Sequence, residues 1–273
     1  EKDSKLEILE DQSFYNCAIR SIELPCHVKK IGDKAFFYSN QFLKIDIPSN
    51  SELKTIGAGA FTNTKLGSIS IPSCLTEIKD GAFSNCYYLK SVDVPFDSKL
   101  EKIGENAFTN TQIEEFFIPS ELQEIKFGSF VTLTPIKYSI SPNNHSFSYY
   151  KKEFILGKSD QAGDRFDIIA LSNRNIKNIL IPSFVKQISD VAFLGSNANK
   201  ISFENNSELQ SIGTYSFYSS GINSFSVPSR VIKIGHEVFS KCDKLLIFEI
   251  PDDSKLQSID DAFKNSTIDI IMI

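Results

Sequence analysis

The chain has 273 residues, is 41% hydrophobic and carries a formal net charge of -5, with acids and bases interspersed. It is long enough to bury a large core, and it lacks the concentrated basic face that a nucleic-acid or anionic-membrane surface needs. Two skews call for explanation: 23 Phe against no Trp, and five Cys, an odd number for a disulfide framework.

In chain order, the opening EKDSKLEIL is spelled like the internal FDSKLEKI and DDSKLQSI, so it reads as cut from a longer or processed protein. No signal peptide opens the chain and no segment is apolar enough over sufficient length to span a bilayer. One grammar then recurs about ten times. It is most legible from Ile71 to Pro95: Leu75, Ile78, Ala82-Phe83, a small residue at Cys86, then Leu89, Val92, Val94 and Pro95. The residue before each Ala-Phe pair falls at Leu9, Ile31, Ile56, Ile78, Ile103 and Ile125, then at Ile188, Ile212, Ile234 and Ile259. Steps alternate between 22 residues (56 to 78) and 25 (78 to 103). Long units carry an inserted Asn-Ser or Asp-Ser, as in PSNSELKTI, that short ones such as PSCLTEI lack. Duplication of a two-coil unit accounts for the alternation, and loops protruding along one edge for a ligand are the functional alternative.

Recurrence at a fixed period predicts a solenoid in which each coil hides its apolar side against its neighbours. The Phe excess is then architecture. Leu89-Lys-Ser-Val92-Asp-Val94 alternates as a half-buried strand does. The proline after it (Pro25, Pro48, Pro72, Pro95, Pro119, Pro182, Pro228, Pro251) has no donor for a central strand and marks its end. The remaining Leu-x-x-Ile-x-x-x-Ala-Phe predicts extended chain followed by one helical or 3₁₀ turn carrying Ala-Phe inward. About eleven coils stacked at about 4.8 Å give a parallel sheet roughly 50 Å long on the concave side. The predicted fold class is an α/β, β-rich repeat, a single solenoid over 1–273 with a parallel concave sheet and short helical or 3₁₀ convex turns. Cys17, Cys86 and Cys242 each follow a repeat Phe by three residues, where Ser39, Thr64 and Thr111 stand in other coils. A place that accepts Cys, Ser or Thr wants a small side chain with a local hydrogen bond, which predicts structural thiols; a bridge through Cys26 or Cys74 stays open.

The gap from Ile125 to Ile188 is the real departure. It holds two apolar runs, Phe154-Ile155-Leu156 and Ile168-Ile169-Ala170-Leu171, around the polar GKSDQAGDR. This predicts a hairpin-like or widened turn inserted at about 142–175. Smaller departures are Ile259-Asp-Asp-Ala-Phe263, one residue short, and Ile201-Ser-Phe203-Glu204, where Glu replaces the proline.

IGxxAFxxCxxLxxVxIP with IPxxLxxI resembles the BspA-like, or treponemal-type, leucine-rich repeats, and ISPNNHSFSYY with KKEFIL resembles that family's atypical inserted unit. SKLQSI and the Asn-, Ser- and Phe-rich spelling are similar to copies from protozoan parasites. The resemblance covers essentially the whole chain. It implies a right-handed solenoid, surface display or secretion, and adhesion to host cells, extracellular matrix or other microbes.

Signals of an enzyme are poor. His27, His145 and His236 are the only histidines and sit in different coils, with no phosphate loop, paired metal ligands or nucleophile elbow. His236 occupies a place held elsewhere by Asp33 or Glu105 and reads as a solvated turn residue. No catalytic residue, cofactor or metal is assigned. Gly57 and Gly59 are read as turn glycines needed for backbone conformation. The sequons at Asn144, Asn205 and Asn265 are compatible with export without arguing for it. The residues flanking the buried strand positions face outward on the concave side, and from them the partner-binding candidates are Glu23, Lys44, Asp46, Asp93, Glu115, Phe117, Ile247 and Glu249. The first half of this face is short, polar and mildly acidic, suited to a basic or hydroxyl-rich protein partner or simply solvated. In the C-terminal strand Ile270 and Met272 are expected on the same side, and further repeats or a second copy are expected to cover that end. The sequence thus predicts a non-catalytic protein-binding scaffold, with no nucleic-acid partner. The resemblance makes it a cell-surface or secreted adhesin for a host or matrix protein. The alternative is a self-assembly module pairing through solenoid ends.

Overall fold

The computed structural model describes residues 4–272, which fall into two compact units, Glu1–Ser146 and Phe147–Ile273. In the first unit, six two-residue strands pair in parallel in chain order: Ile8–Leu9, Lys30–Ile31, Thr55–Ile56, Glu77–Ile78, Lys102–Ile103 and Glu124–Ile125. A second set of strands alternates with them along the chain. Ser21–Glu23 pairs with Lys44–Asp46, and Ser68–Ser70, Ser91–Asp93, Glu115–Ile118 and Lys137–Ile140 form a four-stranded parallel sheet. The register sets like opposite like: Leu9, Ile31, Ile56, Ile78, Ile103 and Ile125 are successive partners, as are Ile69 and Val92.

This register makes a column of the repeat phenylalanines. Phe14, Phe36, Phe61, Phe83, Phe108 and Phe130 stack with ring centroids 5.1, 5.2, 5.2, 5.3 and 5.4 Å apart, each pair within 14° of parallel. Phe36, Phe61, Phe83 and Phe108 are fully buried. The long coils keep their Leu in line because the inserted Ser accepts that Leu's N–H: Ser51 from Leu53, Ser98 from Leu100, and Ser4 from Leu6 in the opening segment. The extra residues are absorbed in a local turn.

The expected helical or 3₁₀ turn is absent, since no helix occurs among the described residues. Two residues before and two after most of the repeat Phe the backbone has positive φ, as at Lys34 and Tyr38, Gly59 and Asn63, Asn106 and Asn110, and Tyr215 and Ser219. A left-handed residue every fourth position stops a helix from propagating. Donors then alternate. Ala35, Phe37 and Ser39 bond three residues back, while Lys34, Phe36 and Tyr38 bond to Ala58, Ala60 and Thr62 of the next coil. The turns are thus a second ladder running along the stack.

Of the two glycines read as conformational, Gly59 has φ +61, but Gly57 serves close approach: a Cβ there meets the Gly32 carbonyl carbon at 2.5 Å. Beside it, Asp33 Oδ1 accepts the Ala58 N–H at 2.9 Å, and Asp11 and Asp80 do the same for Asp33 and Glu105. All five cysteines are unpaired thiols. Cys86 Sγ donates to Phe61 O of the preceding coil, and burial pushes its thiol up to about 11. Cys242 bonds Phe217 O in the same way.

The second unit opens with an antiparallel group at the expected insertion. Ser148–Tyr150 pairs with Phe154–Gly157, which pairs with Ile168–Ser172 across an irregularity at Ile155/Leu156. Parallel pairing then resumes through Gln187–Ile188, Ser211–Ile212, Lys233–Ile234 and Ser258–Ile259. Phe193, Phe217, Phe239 and Phe263 form its column at 5.0, 5.8 and 5.5 Å. Outside it, Asn178–Ile181 pairs with Lys200–Phe203, and Ser224–Ser226, Ile247–Glu249 and Ile270–Met272 form a parallel sheet. Where Glu204 replaces proline, its N–H bonds Ile181 O at 3.0 Å, a donor that proline lacks.

Candidate functional site

On the three- and four-residue strands of the first unit, outward positions stand in rows one coil apart. Ser68, Ser91, Glu115 and Lys137 are successive partners in one row, and Ser70 and Asp93 in the next, on the same side as Phe117 and Ser139. Their inward neighbours Ile69, Val92 and Phe116 are buried. Parallel pairing fixes the spacing, so a shallow groove lined by Ser68, Ser70, Ser91, Asp93, Glu115 and Phe117 runs over the sheet. Glu23, Lys44 and Asp46 are likewise exposed on the neighbouring pair, Ser21–Glu23 with Lys44–Asp46.

The charges are partly spent on each other. Lys44 Nζ lies 2.8 Å from Asp46 and Lys137 Nζ 2.9 Å from Glu115, exposed pairs that contribute little to stability. Among the described residues Glu23 and Asp93 have no ion pair. Phe117 is half-buried, and its ring stacks at 6.0 Å on Phe96, which is 67% exposed. The sequence reading missed Phe96. The signal was there: the residue after the strand-ending proline is Ser49, Ser73, Ser120, Ser183, Ser229, Cys26 or Asp252 in other coils, and aromatic only in this one.

In the second unit the corresponding face is more apolar. Ile247 is exposed and partners Ile270, and Glu249 partners Met272. Ile270, Ile271 and Met272 are 50%, 53% and 44% exposed, so the last strand shows apolar side chains on both faces. The sequons differ in access: Asn144 is buried with Nδ2 donating to Pro119 O and Leu122 O, whereas Asn205 and Asn265 are exposed.

A further cluster was invisible in the linear sequence because its members lie 24 residues apart. His236, Asp260 and Asp261 each offer a ligand atom, all within 4.8 Å of one another. His236 Nδ1 is 3.6 Å from Asp260 Oδ2 and 3.8 Å from Asp261 Oδ2, and its Nε2 is 3.4 Å from Glu237 Oε1. A hydrogen bond from Lys264, at 3.0 Å, holds the Glu237 carboxyl below its ordinary range.

Three crystal structures share this architecture. They are the pneumococcal vaccine antigen PcpA (TM-score 0.73, 22% identity, 91% of this chain and 68% of that one), a leucine-rich repeat protein from Eubacterium ventriosum (0.75, 21%, 92% and 66%), and a leucine rich cell surface protein from Faecalibacterium prausnitzii (0.59, 21%, 96% and 83%). The chain spans about two thirds of the length of the first two, and at these identities the likeness is one of fold. No curated protein matches it at the sequence level. The BspA type leucine rich repeat region matches residues 7–137 and 167–273 in six copies. Coils that repeat one apolar column, one small-residue column and one proline-ended strand across both units are the physical form of that match, and the chain belongs to the BspA-type leucine-rich repeat family.

Proposed function

We propose that the protein is a non-catalytic, surface-displayed or secreted adhesin whose polar strand face binds a host-cell or extracellular-matrix protein. One observation carries the reading: an in-register, outward-facing row of Ser, Asp and Glu side chains bordered by the exposed Phe96 stacked on Phe117, on a floor of parallel strands. An exposed aromatic beside the unpaired Asp93 offers an anchor and a charge, and it favours a basic or hydroxyl-rich partner. Support for display comes from two of the similar structures, described as a vaccine antigen and a cell surface protein. The test is binding of the intact chain to host cells and immobilised matrix proteins, against a variant carrying Asp46→Ala, Asp93→Ala and Glu115→Ala. Loss of binding by about tenfold or more with an unchanged melting curve is the expected outcome. Unchanged binding would move the site to the antiparallel group at 148–172.

The exposed edge strand Ile270–Met272 favours a second reading, in which copies pair through this end. Light scattering decides it. Mass rising with concentration, and lost on Ile271→Lys, supports pairing, while a monomer throughout removes it.

A further inference from the structure

We propose that His236, Asp260 and Asp261 bind a divalent transition-metal ion of the zinc type, which clips the coil of residues 259–272 onto the coil before it. The residue at this place varies from coil to coil, and here two successive coils bring metal-ligand types together. Two residues after the paired Leu or Ile, Asp11, Asp33, Asp80 and Asp190 each accept a backbone N–H of the following coil, from Asp33, Ala58, Glu105 and Thr214, while other coils carry Ala58, Glu105, Phe127 or Thr214 at this place. His236 puts an imidazole there instead. The next coil is one residue short and carries Asp260 at the place held by Gly32 and Gly57 in some coils and by Glu10, Lys79 or Ser189 in others. His236 and the shortened coil meet at one point.

Their geometry suits a cation. Zinc bonds of about 2.0 to 2.2 Å to nitrogen and oxygen give ligand-to-ligand edges of about 3.3 to 3.6 Å in a tetrahedron. The Nδ1 atom lies 3.6 and 3.8 Å from the two aspartate oxygens, within a small side-chain adjustment of that figure. Glu237, only 13% exposed and pinned by Lys264, sits at the other ring nitrogen. A carboxylate on the Nε2 side favours the tautomer whose Nδ1 lone pair faces the aspartates, as the carboxylate–histidine–metal arrangement of built sites does. One imidazole with two carboxylates selects a borderline ion such as Zn2+ over Ca2+ or Mg2+, which want more oxygens. Both aspartates are more than half exposed, so the remaining coordination positions open to solvent.

Isothermal titration of the intact chain with Zn2+, and the visible spectrum of its Co2+ form, test this. The expected result is one equivalent bound, a higher melting midpoint by mass action, and slower proteolysis after residue 255, with no such response to Ca2+ or Mg2+. His236→Ala or Asp260→Asn with Asp261→Asn abolishes the stoichiometric binding, and Glu237→Gln weakens it by about tenfold. Among the described residues the His236 side chain reaches the neighbouring coils only through the edge of the Tyr215 ring at 5.7 Å and the exposed Asp260 and Asp261, so its variant is expected to retain the native circular dichroism, and it decides alone if the aspartate variant does not. No stoichiometric uptake by the parent chain, or uptake equal in His236→Ala, overturns the proposal.

Discussion

Replacing Phe83 by Ala lowers stability by about 3 to 5 kcal/mol, the largest loss expected of any single side chain in the first unit. The ring is fully buried between Phe61 at 5.2 Å and Phe108 at 5.3 Å, nearly parallel to both. The cavity cannot close by letting the coils settle, because their spacing is set by backbone bonds on each side: Phe61 N to Ala82 O at 2.7 Å, Phe83 N to Ala107 O at 2.8 Å, Gly104 N to Ile78 O at 2.8 Å. A site that cannot collapse sits at the upper end of large-to-small costs. Since each coil touches only its neighbours, the loss also weakens the coupling between the coils on either side. Asp93→Ala, on the outward side of the adjoining strand, stays within about 0.5 kcal/mol of the parent. Urea melts of the two variants check the pair, and equal losses would contradict the assigned facing.

The columns were legible in the sequence because each is spelled many times and burial follows a simple rule. Leu, Ile and Phe return to the same height, so the spacing of Phe36, Phe61, Phe83 and Phe108 already stated their stacking. The strand facing followed from period-two alternation and the terminating prolines. The turn did not. Ala-Phe with a small residue three places on fits a helical turn equally well, and the distinction rests on backbone sign. A partial signal existed in Gly59, Gly81, Asn63, Asn85 and Asn110, residue types that tolerate the left-handed region. It was diluted by Lys34, Tyr38 and Val191, which occupy the same places because the cross-coil ladder holds them there. Site residues followed a similar division. Those fixed by strand alternation, such as Asp93 and Glu115, face outward as expected, whereas Phe96 and the His236 cluster depend on which irregularities meet in space.

The second large effect belongs to Asp167, at the base of the polar stretch that separates Phe154–Gly157 from Ile168–Ser172. Its side chain is 1% exposed and takes three donors: Ser159 N at 2.9 Å, Ser159 Oγ at 2.8 Å and Lys186 Nζ at 2.9 Å. Burial alone would raise this carboxyl, but the Lys186 and Ser159 hydrogen bonds outweigh it and hold it below its ordinary 3.8. A carboxyl lowered in the folded state contributes stability that is present above its unfolded value and is lost as pH falls through the folded one. Asp167→Ala strands an ammonium and two donors. Lys186 is 35% exposed and can recover some water, so the cost is about 2 to 3 kcal/mol at pH 7, below that of a fully buried broken pair. Melts at pH 7 and about pH 2 check the sign: parent and variant differ at the first and converge at the second. A gap that persists in acid would mean the carboxyl is not the group responsible. Because the same carboxylate closes residues 159–167 against the sheet, the variant also separates the two possible binding surfaces. If the row of Asp93 and Glu115 engages the partner, Asp167→Ala binds as the parent does wherever it is folded, whereas a site on the antiparallel group loses its partner with this one substitution.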